Sequence, residues 1–401
     1  MRNLKIEKIN PGAGDTLTYT YDALRRLLTK KDQLDDTCTI VYDLAGRMIE
    51  KVYKTGGTTV ESTDTFTYDA ASRLISSHKG RYDVTTTHSY TLDSQPSTES
   101  FNVDNRDYTM SRSYDAGNRP ISHTFADNNQ KFWSYDERNL VTQVMYEDEL
   151  IVNQTHDAGY RLITQQFGND LERTITYGRA DNLRTTDALK DGNTFLESLH
   201  LTYSYNEDKQ VTSETTSGGF LDNSSFSATY DAGDRLKTWT RPDAVATGTR
   251  ETEAWTYDDA GNQIAVTRDS TSEARTYNSD NELTAIAGDS TTLDAKGNMT
   301  EDADGNQYLY DLDNRIYEID MDGGDTIELA YDALGRRVFR KNGNDEQTYL
   351  WWGDQEIAEH KSISGQATIQ NDIWAHPTTL NKIIARAVEG SQHDLEFYHK
   401  N

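Results

Sequence analysis

Apolar and polar residues alternate along this chain with a period of two, in short runs that each end at the same kind of break. Leu17, Tyr19 and Tyr21 share one parity, with Thr16, Thr18 and Thr20 on the other. Leu199, Leu201, Tyr203 and Tyr205 repeat the pattern against His200, Thr202 and Ser204. Such alternation predicts strands with one face buried and one wet. The break is a Tyr-Asp-x-x-Gly-Arg element. It occurs at Tyr21-Asp22, Tyr42-Asp43 with Gly46-Arg47, Tyr68-Asp69 with Arg73, Tyr114-Asp115 with Arg119, and Tyr135-Asp136. It continues at His156-Asp157, Tyr230-Asp231 with Arg235, Tyr257-Asp258, Tyr310-Asp311 with Arg315, and Tyr331-Asp332 with Gly335-Arg336. Degenerate copies at Tyr90, Tyr177, Tyr205-Asn206, Tyr277-Asn278 and Leu293-Asp294 bring the array to about fifteen, spaced 16 to 28 residues apart.

Each copy reads as strand, turn, strand. The Asp carboxylate suits a turn opening, accepting backbone N–H groups two or three residues on. A Gly or Asn three to four residues later supplies the left-handed backbone of a short hairpin loop with a bulge. The Arg and its apolar neighbour, as in Arg73-Leu74 and Arg161-Leu162, begin the return strand. One hairpin is marginal alone in water, so stability has to come from neighbours. Tyr residues in register would form a cross-strand aromatic ladder, and Asp and Arg a ladder of charged hydrogen bonds between turns.

The expected fold class is therefore all-β: tandem hairpin repeats in one long antiparallel sheet. Strand pairs rotate by roughly 20–25°, so such a sheet has to coil into a hollow spiral or partial shell. Residues 1–15 form a lead-in, 16–350 the repeat array, and 351–401 a terminal part of irregular strands. An amphipathic spacing of Leu380, Ile383, Ile384 and Ala387 leaves a short helix at Leu380–Val388 as the alternative within that part.

Composition supports this picture. Only 34% of the 401 residues are hydrophobic, too few for a deep conventional core, yet 24 Tyr, 10 Phe and 6 Trp among many Thr exclude a disordered chain. The formal charge of −27 repels polyanions and excludes nucleic acid as a partner. No run approaches the ~20 apolar residues of a membrane helix, which argues against membrane insertion, and residues 1–15 hold no export signal. Cys38 is the single cysteine and forms no intrachain disulfide.

Chemistry is hard to find in the pattern. His376, His393 and His399 lie near Asp372 and Asp394, but at no metal-binding spacing. Asp302–Asn306 and Asp320–Asp325 resemble calcium loops, with Gly at the wrong offset and no closing Glu, and read better as hairpin turns. No nucleophile elbow or phosphate loop occurs, so neither a catalytic residue nor a cofactor or metal is expected. Trp133, Trp239, Trp255, Trp351, Trp352 and Trp374 are expected to pack between sheet layers rather than to stack sugars.

The Tyr-Asp-x-x-Gly-Arg signature at Tyr42–Arg47, Tyr114–Arg119 and Tyr331–Arg336 resembles the YD repeat of the RHS family, over about residues 16–355. That family includes the C components of bacterial toxin complexes, polymorphic toxins and teneurins. The resemblance implies a structural β-shell, not an enzyme, in a secreted or cell-surface protein. Its expected partners are flanking repeats or an enclosed polypeptide passenger of toxin type, or a surface glycan or receptor in cell contact. A carbohydrate-binding aromatic-repeat module of an adhesin is the alternative. Two departures stand out: no Asp-Pro dipeptide of the family's core segment occurs, and no variable module follows. The array is also short for a closed shell, so an open piece is expected.

Overall fold

The computed structural model describes residues 7–9, 16–179, 181–191, 200–217, 225–242, 250–268, 270–363, 365–374, 383–388 and 394–397. These residues form strands and turns only, in two sheets of 26 and 11 strands. Every described pairing is antiparallel and joins strands adjacent in sequence. Thr16–Tyr21 pairs with Leu27–Lys31, which pairs with Thr37–Tyr42, which pairs with Met48–Thr55. No described pairing closes either sheet into a barrel.

The expected alternation is visible in the burial. Along Thr59–Tyr68, Ser62, Asp64 and Phe66 are buried while Thr65 and Thr67 face solvent. The wet face is stitched by hydroxyl pairs across neighbouring strands, among them Thr20 with Thr29 at 2.6 Å, Thr155 with Thr164 and Thr229 with Thr238. Asp302–Asn306 and Met321–Asp325 are turns, as expected.

The chain divides into two compact units. One comprises Met1–Lys131, Asn278–Thr284 and Asp289–Asn401, and the other Phe132–Tyr277 and Ala285–Gly288. In the first, Phe66, Phe101, Val103, Met110 and Phe125 are buried, as are Val338, Leu350, Trp352 and Ile357. In the second, Trp133, Val144, Tyr146, Ile151, Phe167 and Leu201 fill the inner face. Trp133 and Trp352 thus pack inward.

The helix alternative at Leu380–Val388 is not adopted over Ile383–Val388, which is a strand paired with Gln366–Trp374. A waiting sheet edge and the β-branched Ile383, Ile384 and Val388 outweigh a weak helical spacing. Leu380 lies outside the described residues, as do Leu199, His376, His393 and His399. Position 350/351 falls inside the strand Asp345–Trp352, and the sheet continues through it into Gln355–Ile363.

Candidate functional site

The repeat element builds a clamp inside each turn. In the turn after Thr37–Tyr42, Asp43 Oδ2 accepts from Arg47 Nε at 2.7 Å, and Oδ1 accepts the Arg47 backbone N–H at 2.9 Å. Asp22 with Arg26, Asp69 with Arg73, Asp115 with Arg119, Asp157 with Arg161 and Asp231 with Arg235 repeat this geometry. The carboxylate therefore serves N–H groups two and four residues on, as at Leu24 and Arg26, instead of two and three. For Asp43, the backbone N–H of Arg47, followed by its guanidinium, holds the carboxyl below its ordinary range against the opposing effect of burial. Where Arg is missing, an amide substitutes: Asn262 Nδ2 donates to Asp258 Oδ2 at 2.9 Å, and Asn298 does the same for Asp294.

The left-handed residue is always the third after the Asp, and it is not always Gly or Asn. Gly46 has φ +85°, but Arg25, Ser72 and Tyr160 take the equivalent place at φ 66°, 65° and 68°. In Asp115-Ala116-Gly117-Asn118 it is Asn118, not Gly117, that turns left-handed. The register slips by one residue beside the turn Tyr at Tyr21, Tyr42, Tyr68, Tyr114, Tyr230, Tyr257, Tyr310 and Tyr331, which marks the bulge.

Between repeats, the contact is Arg on Tyr. The Arg26 guanidinium lies 4.4 Å over the Tyr42 ring, and Arg47 over Tyr68, Arg73 over Tyr90, Arg161 over Tyr177, Arg235 over Tyr257 and Arg315 over Tyr331 follow suit. Each phenol then donates to a backbone carbonyl one repeat back: Tyr42 to Leu27, Tyr68 to Met48, Tyr114 to Pro96, Tyr230 to Val211, Tyr257 to Leu236, Tyr310 to Met299 and Tyr331 to Ile316. The expected ladder of Asp and Arg between turns is thus replaced by a pair within each turn. Its guanidinium also reaches the next turn, as Arg47 Nη1 does at Asp69 O, 3.0 Å away. In the second unit Asp136 is clamped by Arg138, two residues on, whose Nη1 donates to Asp157 O at 2.7 Å.

In the first unit the array also meets itself. Residues 229 to 264 positions apart are joined by side-chain bonds and ion pairs. Tyr53 Oη donates to Asp313 Oδ2 at 2.8 Å, and Lys79 Nζ bridges Asp64 and Asp313 at 3.0 and 3.1 Å. Arg315 holds both Asp311 and Asp313 from the other side. Burial would raise the Asp313 carboxyl, but Lys79, Arg315 and the Tyr53 hydroxyl together hold it low. Burial, then Asp313, pushes the Tyr53 phenol far up.

Glu99 and Gly353 form a second junction. Arg336, already clamped to Asp332, reaches Glu99 Oε1 at 2.7 Å and Gly353 O at 2.6 Å, and Gly353 N–H donates to Glu99 Oε2 at 3.0 Å. A third junction gathers buried bases: Arg112 Nε approaches His123 Nδ1 at 3.4 Å and lies over Trp352, while Lys131 Nζ faces the Asp372 carbonyl at 3.5 Å. Burial, then Arg112, depresses both the His123 and the Lys131 titrations strongly. Lys296 adds a fourth, to Asp32 at 2.7 Å and Asp36 at 2.9 Å.

The turn residues Tyr, Asp and Arg are mostly half-buried, with Asp311, Asp332 and Arg336 buried. Asp64, Lys79, Glu99, Arg112, His123 and Lys131 were not among the expected residues. Their signal is parity: Glu99 alternates in step with Phe101 and Val103, and Arg112 with Tyr108 and Met110, on the face that becomes the core.

Residues 224–364 match the family model described as Teneurin YD-shell. Among solved structures, the Photorhabdus luminescens Tc holotoxin pore superposes at a TM-score of 0.84 with 16% identity, over 99% of this chain and 23% of that one. The TcdB2-TccC3 crystal structure gives 0.82 and 16%, over 99% and 24%. TcdB2-TccC3 without its hypervariable C-terminal region gives 0.69 and 14%, over 98% and 26%. The chain thus spans about a quarter of the structures it matches, and at this identity the likeness is one of fold. No curated protein matches the sequence.

Proposed function

Because this chain belongs to the RHS/YD-repeat family and has the fold of a structural β-shell, we propose that it is a wall segment that encloses a polypeptide passenger, outside the cell or at its surface. The observation that carries this is the set of junctions between repeats 229 to 264 residues apart. A spacer needs only contacts between neighbouring repeats. Here Glu99, Asp313 and Asp372 tie late hairpins to early strands, the contact a wall requires and a rod does not. The role is non-catalytic in this reading, since the buried charges are engaged in pairing one hairpin to another. Relatives with this fold include toxin complexes, which makes a toxin-type passenger the natural cargo.

The experiment attaches an unstructured reporter polypeptide to the C-terminal end and follows its digestion by a protease that leaves the folded repeats intact. A half-life at least tenfold longer than that of the free reporter is expected. Equal digestion rates would reject enclosure by this chain.

A further inference from the structure

A cavity of about 410 Å³ opens in the first unit, with Val84 and Val103 among its lining, both buried core residues, and with Tyr82, Tyr317 and Phe339 in its walls. Its volume lies at the lower end of ligand sites, roughly 300–1,000 Å³, room for one long side chain and the backbone beside it. The aromatic wall already holds one cation: the Arg81 guanidinium sits 4.0 Å over the Tyr317 ring and 5.8 Å from the Tyr82 centroid, paired with Glu61.

Two further lining residues are acidic. Glu318 and Glu328 lie directly across from one another on adjacent strands, and both line the cavity. Like charges so placed are destabilising. Neither carboxylate has an ion-pair partner among the described residues. Lys341, across from Glu328 on its other side, turns its ammonium to Glu346 at 3.4 Å, and Arg106 approaches Asp104 at the rim at 3.7 Å.

We infer that this cavity receives a cationic side chain, a guanidinium or ammonium on an aliphatic stem, from the enclosed polypeptide. The stem lies against Phe339 and the core valines while the charge neutralises Glu318 and Glu328. A sugar needs open aromatic faces, and Arg81 occupies that of Tyr317. The assignment of the cation to a passenger rests on the function proposed above. The cavity's preference for a cation does not.

Binding of acetyl-Ala-Ala-Arg-Ala-Ala-amide to the full chain, measured by calorimetry at low and high salt, tests the inference. Binding should weaken with salt, fall at least tenfold when citrulline replaces the Arg, and fall at least tenfold in the Glu318→Gln/Glu328→Gln variant. Glu149→Gln, on an exposed position of the second unit, should leave it unchanged, and thermal unfolding confirms that each variant is folded. Equal affinity for the citrulline peptide, absence of binding, or no response to the double substitution overturns the site. Equal affinity for free arginine amide keeps the cation but overturns its origin in a polypeptide. Binding of cello-oligosaccharides lost in Phe339→Ala makes it a glycan site instead. A reporter that stays protease-protected while the peptide fails to bind separates failure here from failure of the shell.

Discussion

Glu99 and Arg336 stand 237 residues apart in sequence and 2.7 Å apart in the folded chain, with Phe101 beneath the guanidinium at 5.1 Å. Their side chains are only 4% and 8% exposed. Arg336 is also clamped to Asp332, so removing Arg336 strands two carboxylates in the core, at a cost of ~3–5 kcal/mol, whereas removing Glu99 leaves the guanidinium one carboxylate partner. Arg336→Ala should lose stability of that order in urea unfolding, Glu99→Ala should lose less, and Arg336→Ala made on top of Glu99→Ala should cost less than it does alone. Additive losses would show that the two groups do not act as a pair.

The Tyr of each repeat has two separable roles. In Tyr331, the hydroxyl donates to Ile316 O at 2.7 Å and the ring lies under Arg315 at 4.8 Å. Tyr331→Phe removes the first and should cost about 1 kcal/mol. Tyr331→Ala removes both, leaves a void beside Arg315, and should cost about 3 kcal/mol. Matching unfolding midpoints for the wild type and both variants would show that the ring and hydroxyl do not join repeats.

Arg25 occupies the left-handed turn position at φ 66°, where a side chain carries strain of roughly 1 kcal/mol or more. Arg25→Gly should therefore raise the unfolding midpoint. Gly46→Ala, at φ +85° and with Arg26 Nη1 3.2 Å from the added carbon, should lower it. The opposed signs are the test, since a surface substitution with no backbone effect moves neither.

His123 gives the first unit an acid sensitivity. Burial, then Arg112 and Lys131, holds its imidazole well below 6.5 in the folded state. The unfolded chain takes up a proton near pH 6.5 that the folded chain refuses, so stability is complete above that pH and declines below it, by at most ~1.4 kcal/mol per pH unit. Glu356 works the other way. Burial, then Glu359 and Asp372, pushes its carboxyl up to about 7, so the folded state keeps a proton between about 4.5 and 7 and gains stability as pH falls through that window. Comparison with His123→Gln isolates the histidine: between pH 7.5 and 5.5 the wild type should lose ~1 kcal/mol more than the variant. Parallel profiles would mean that His123 does not titrate in this way.

The strands, the turns and their neighbour-to-neighbour order were determined by the sequence alone. Period two sorts Leu17, Tyr19 and Tyr21 from Thr16, Thr18 and Thr20, and an Asp four residues before an Arg closes its own hairpin through local bonds. These forces act over five to ten residues, and repetition makes them unmistakable. What only the tertiary structure decided is everything that crosses the array. That Arg336 meets Glu99, that Asp313 is shared by Tyr53, Lys79 and Arg315, and that Ile383–Val388 extends a sheet instead of coiling all depend on which surfaces face one another. Parity placed Asp64, Glu99 and Lys131 on the inner face but could not name their partners. A charge takes whatever complement the packed neighbour offers, and across more than two hundred residues no local spacing records which neighbour that is.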